Sequence, residues 1–159
     1  MNAATFLNSH ETFTSPTEAQ LKDAYAAVDR FSTVWAKPDL DGIRSLMHED
    51  TRNLIPPMTE PADREGVVTY FAQTLGQLPD LTVTVIRWAP TSDSVLVEWR
   101  ANATVAGQPI SWTGVDRFGV RGERMYEARV YWDTRQVAEM IASIVQAATA
   151  RAAQAGAAQ

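Results

Sequence analysis

The chain has 159 residues, 45% of them hydrophobic and 21% charged, which is the size and composition of one globular domain. A net charge of −5 argues against nucleic acid and against an anionic membrane surface as partners, because phosphates demand a basic footprint. There is no cysteine, which excludes disulfides, thiolate metal sites and a cysteine nucleophile.

Residues 1–15 are polar and aperiodic and read as a loose tail. They lack a basic n-region and a long apolar run, so they do not read as a signal peptide. No later run reaches the roughly 18 apolar residues of a membrane span. The expectation is a soluble, cytoplasmic protein with one domain over 16–150 and a fraying alanine-rich end over 151–159.

Ser15-Pro16-Thr17-Glu18 gives a helix start. Leu21, Tyr25, Val28, Phe31, Val34 and Trp35 follow at helical spacing to about Ala36. Lys37-Pro38 ends that helix, since proline disfavours helix in the residue before it. A short helix starts at Asp39-Leu40-Asp41-Gly42 and runs to about Met47, with His48-Glu49-Asp50 closing it. There, His48 is read as a C-terminal cap, where the helix dipole favours a cation. Thr51–Pro56 reads as a strand with Thr51, Asn53 and Ile55 on one face.

Pro61–Glu65 opens a third helix, with Val67, Val68, Phe71, Leu75 and Leu78 as its apolar stripe. An acid at Glu65 suits the first turn, and a catalytic role there is the alternative. Leu81–Trp88, Val95–Val105, Gln108–Val120 and Met125–Asp133 then read as strands, with Ala106-Gly107 as a hairpin turn. Thr134–Ala150 is helical by the spacing of Val137, Ile141, Ile144 and Val145. Helices segregated from a run of strands predict an α+β fold, with a curved, mostly antiparallel sheet and helices on its concave face.

The segments DRFSTVWAKPDLDGIRSLMHEDT, EPADREGVVTYF, VEWRANATVAGQ, TGVDRF and EARVYWD occur in this order between Val28 and Asp133. Their order and spacing resemble the nuclear-transport-factor-2-like superfamily, especially its SnoaL-like and ketosteroid-isomerase-like members. The resemblance implies a cone-shaped α+β barrel with a pocket at its centre. It does not fix a function, because the fold hosts isomerases, cyclases, epoxide hydrolases and non-enzymes. Matched without gaps, the isomerase base position falls on Ile55 and the isomerase tyrosine position on Phe31. The isomerase acid survives as Asp116 of VDRF. The Arg, Asp and Asp of a limonene-epoxide-hydrolase-like site fall on Trp99, Ala101 and Val130, so that site is absent too. Arg100 and Asn102 have the opposite parity and would face inward only after a one-residue slip.

Strand parity gives the inward set. It comprises Val97, Trp99, Ala101 and Ala103, then Trp112, Gly114, Asp116 and Phe118, and then Ala128, Val130 and Trp132. Asn53 and Ile55 join from the first strand, and Phe31, Trp35 and Phe71 from the helices. Ala101, Ala103, Gly114 and Ala128 are expected to leave room, while Trp99, Trp112 and Trp132 wall it. An aromatic cavity with few polar groups suits a flat, apolar small molecule.

Asp116 is the candidate catalytic residue. Burial among tryptophans would raise its pKa. Neutral, it could donate a hydrogen bond to a carbonyl or enolate oxygen, as the acid of ketosteroid isomerase does. Charged, it could act as a general base. A third reading has it bonded to the backbone or a neighbour, without chemistry. Asn53 is read either as a second ligand contact or as an amide satisfied by the sheet.

The expected function is a cofactor-independent enzyme of isomerase or cyclase type. Its substrate would be a hydrophobic polyketide-, terpenoid- or steroid-like molecule. A non-catalytic binding protein for an apolar ligand is one alternative, and an epoxide hydrolase or epoxide-opening cyclase with a non-standard site is another. No metal site is expected, since the two histidines, His10 and His48, lie far apart. Glu98, Arg100, Arg117, Arg129 and Asp133 are expected on the outer sheet face, as solvated surface or as a homodimer interface.

Overall fold

The structure is a computed structural model and describes residues 15–157. The residues before Ser15, which hold most of the expected tail, lie outside those described, as does the end of the chain after Ala157. The elements are α1 (Glu18–Ala36), α2 (Leu40–Ser45), β1 (Met47–Leu54), α3 (Arg64–Gln77), β2 (Thr82–Pro90), β3 (Val95–Val105), β4 (Gln108–Arg121), β5 (Arg124–Tyr131) and α4 (Thr134–Ala157). The fold is α+β, as expected. One curved five-stranded sheet runs in the order β1-β5-β4-β3-β2, forming the wall of a cone.

Side-chain caps fix where the helices begin. Thr17 and Gln20 form a reciprocal capping box at α1, with Gln20 Oε1 accepting from the Thr17 N–H at 2.8 Å. Asp39 caps α2 through the Gly42 N–H at 2.6 Å, and Asp63 caps α3 through the Gly66 N–H at 2.8 Å. The sheet is antiparallel except at β1, which runs parallel to β5. Ala106 and Gly107 turn the β3–β4 hairpin with φ of 47° and 75°, a left-handed pair that glycine adopts without strain.

Two boundaries differ from the sequence reading. α2 ends at Ser45 and β1 begins at Met47, so His48-Glu49-Asp50 is strand rather than helix closure. Long-range pairing decides this. Met47 sits opposite Met125, and the Met125 N–H donates to the Leu46 carbonyl at 2.9 Å. His48 is therefore not a helix cap; its Nε2 lies 2.7 Å from the Arg121 carbonyl across the sheet edge. At the other end, β5 stops at Tyr131, α4 runs through Ala157, and Asp133 caps α4 through the Gln136 N–H at 2.9 Å.

Burial alternates along β3 and β4 as the parity argument requires. Val95, Val97, Trp99, Ala101 and Ala103 are buried, with Arg100 and Asn102 exposed between them. On β4, Ile110, Gly114, Asp116 and Phe118 face in. α1 and α3 cover this concave face with Phe31, Trp35, Val67 and Val68. The core therefore sits between the helices and the concave side of the sheet.

Candidate active site

The concave face holds a cavity of about 230 Å³, at the small end for a ligand pocket. A narrower chamber of about 60 Å³ adjoins it toward β1. Asp116, Phe31, Trp35, Ile55, Phe71 and Val130 line both spaces, which places the carboxyl where they meet.

Each wall comes from a different element. α1 contributes Phe31 and Trp35, one helical turn apart, and Trp35 meets Phe71 of α3 edge to face at 5.0 Å. β3 and β4 contribute Trp99, Ala101, Trp112 and Asp116. Trp132 follows β5 and packs 6.2 Å from the Trp112 ring. Val137 and Ile141 of α4 close a further side.

The structure thus brings Phe31, Trp35, Ile55, Phe71, Trp99, Trp112, Asp116, Val130 and Trp132 around the main cavity. Asn53 and Phe118 are not among them and line only the narrower chamber. Phe118 is core, stacked 5.2 Å from Phe31. Asn53 is 2% exposed, and its Nδ2 donates to Thr51 Oγ1 at 3.1 Å. Its backbone N–H and carbonyl both pair with Ala62, at 2.9 and 2.8 Å. Of the two readings for Asn53, the internally satisfied amide is the one observed.

The expectation about small residues needs correction at two positions. Ala101 lines the cavity and Ala128 the narrower chamber, but Ala103 lines neither. Gly114 frees no cavity volume. A Cβ there would stand 2.7 Å from Trp99 Cη2, so the indole already occupies the space.

Asp116 is 6% exposed, and its Oδ1 is buried with no hydrogen-bond partner among the described residues. Burial pushes its pKa from 3.8 up to about 7, against the opposing pull of the Trp99 indole N–H. Trp99 Nε1 is likewise buried and unpartnered.

Glu65 lies outside both spaces. Arg44 holds its carboxyl in a bidentate pair, with Nε–Oε1 at 3.1 Å and Nη2–Oε2 at 2.9 Å. That pairing keeps Glu65 below the usual carboxylate range and ties α2 to α3. Its role is structural, not catalytic.

Sequence reasoning missed Tyr70, Thr74 and Gln77, which also line the cavity. They recur at i, i+4 and i+7 on α3, beside the apolar stripe, and that spacing is the signal that could have found them. The Tyr70 hydroxyl donates to the Pro56 carbonyl at 3.4 Å, and burial raises its pKa. Thr74 Oγ1 donates to the Tyr70 carbonyl at 3.0 Å. Both hydroxyls already have acceptors within the protein.

Residues 28–128 match the SnoaL-like domain family. The chain belongs to that family. Among solved structures, IdmH from Streptomyces antibioticus, provisionally assigned as a polyketide cyclase, shares 24% identity and a TM-score of 0.63. That match covers 69% of this chain and 91% of IdmH. A SnoaL-like protein from Jannaschia sp. CCS1, also provisionally assigned as a polyketide cyclase, gives 19% identity and a TM-score of 0.67 over 80% of this chain and 96% of that one. An LEH-like epoxide hydrolase from M. tuberculosis gives 15% and 0.65 over 86% and 96%. At these identities the structures show the shared cone fold. No curated protein matches the chain. Within this SnoaL-like domain, Trp99, Ala101 and Val130 bear out the missing epoxide-hydrolase set, because Arg100 and Asn102 point outward. No described helix is long and apolar enough to cross a membrane.

Proposed function

We propose that this SnoaL-like domain is an isomerase- or cyclase-type enzyme. Its substrate class is an apolar polyketide-, terpenoid- or steroid-like carbonyl compound held in the aromatic cavity. The observation that carries the reading is Asp116, a buried carboxyl without a partner at the meeting point of two apolar spaces. A carboxyl raised to about 7 is present in both protonation states near neutrality, which suits an acid–base group.

The chemistry balances with one group. Ionised Asp116 takes a proton from the carbon next to the substrate carbonyl, and the C–H electron pair becomes the enolate double bond. Asp116, now protonated, returns the proton to another carbon and completes an isomerisation. Alternatively, the enolate carbon attacks a second carbonyl of the same molecule, and Asp116 protonates the alkoxide, closing a ring. Neither route consumes a co-reactant. Ile55 and Phe31 bring no second acid–base group, so orientation by the aromatic walls supplies the rest of the rate.

The test is proton exchange on a simple apolar ketone. 2-Tetralone in D2O should gain α-deuterium faster with wild-type protein, and Asp116→Asn should lower that rate at least about tenfold. Equal exchange by the two proteins would remove Asp116 as the base. It would favour the binding-protein reading, in which a co-purified ligand stays unchanged.

We also propose a homodimer through the outer sheet face. Leu96, Val115 and Tyr131 are exposed there beside the charged Glu98, Arg117 and Arg129. A mixed face of both signs can complement a second copy of itself.

A further inference from the structure

We propose that the Trp99 indole N–H is a ligand-binding donor and that, with Asp116, it holds one oxygen at the buried end of an otherwise apolar, planar substrate. That oxygen belongs to a ketone, an enol or a phenol. The inference rests on the acid–base reading of Asp116 and adds how the substrate is recognised.

A buried indole N–H ordinarily finds an acceptor, because leaving it bare forfeits its hydration. Trp99 Nε1 has none among the described residues, and neither does Asp116 Oδ1. The sheet register explains their proximity. Trp99 pairs with Gly114 and Val97 with Asp116, so the two polar side chains are diagonal neighbours on the concave face. Gly114 completes the arrangement, since the indole lies over the space a Cβ would need. Both residues line the same cavity.

The other polar hydroxyls are already committed. Tyr70 donates to Pro56 and Thr74 to Tyr70. Phe31, Trp35, Ile55 and Val130 offer the ligand carbon or ring faces. A ligand without oxygen would leave both orphaned atoms dry. A ligand with one oxygen there accepts from the indole and meets the carboxyl, giving a site with one polar end and aromatic walls.

The probes are 2-naphthol and naphthalene, which differ by one hydroxyl, with binding measured by equilibrium dialysis. Wild-type protein should hold 2-naphthol about tenfold tighter than naphthalene. Trp99→Phe should erase most of that preference and change naphthalene affinity less than about twofold. The loss should persist when Trp99→Phe is added to Asp116→Asn, because the indole contacts the ligand itself. A second readout needs no variant to fold: with 15N-labelled protein, the Trp99 indole N–H resonance should move downfield with 2-naphthol and not with naphthalene. Equal affinity of wild type for the two probes overturns the inference alone. So does a Trp99→Phe effect that vanishes in the Asp116→Asn background, which would make Trp99 a positioning residue. Binding of neither probe overturns the inference together with the cavity reading beneath it.

Discussion

Trp99 lies across the β3–β4 pair over Gly114, and its indole fills the volume that a side chain at 114 would take. A Cβ at 114 would also stand 2.8 Å from the Tyr131 carbonyl. The indole has the cavity on one side, but the backbone of β5 cannot yield without losing its pairing. Gly114→Ala should therefore destabilise the fold by about 1–3 kcal/mol, read as a lower melting temperature. An unchanged melting point would mean that the Trp99 ring does not rest on this glycine.

Asp116 should give the protein a distinctive pH dependence. Its folded pKa, about 7, lies above the ordinary 3.8, so the native state binds the proton more tightly. The stability it contributes is present below the ordinary value and is lost as pH rises toward and through 7. The shift corresponds to a stability change on the order of 4 kcal/mol. Asp116→Asn has no such titration. Denaturant melts at pH 5 and pH 8 should show the variant gaining on the wild type as pH rises. A constant difference across that range would count against a buried, protonated Asp116.

Glu65 should behave as a tether. Glu65→Gln breaks its charge pairing with Arg44 across α2 and α3. Both side chains are solvent-accessible, so the melting temperature should fall only slightly, and less still in high salt. Exchange on 2-tetralone should be unaffected. A large loss of exchange with intact folding would return Glu65 to the catalytic set.

The outer face should govern assembly. Val115→Glu places a charge among Leu96, Glu98 and Tyr131 while leaving the concave face intact. Sedimentation should show dimer for the wild type and monomer for the variant. A wild type that sediments as a monomer at high concentration would remove the homodimer.

The sheet and its inward set were legible because strand parity is a strict period of two. Once TGVDRF and VEWRANA are strands, Trp99, Ala101, Trp112 and Asp116 must share a face. The HED segment was not legible. Its polar composition says loop or cap, and only the parallel pairing of Met47 with Met125, distant in sequence, makes it a strand. Gly114 was misread for a related reason: parity shows which way a residue points but not what fills the space in front of it. Tyr70, Thr74 and Gln77 were passed over because the stripe of α3 was drawn from apolar residues alone, whereas this cavity also takes a partly polar edge.

Carbon-13 NMR titration of the Asp116 carboxyl, assigned by its loss in Asp116→Asn, tests the central claim most directly. The carboxyl should titrate with a midpoint near 7. A midpoint near the ordinary 3.8 would show a solvated or bonded carboxylate and would contradict the acid–base site built on it.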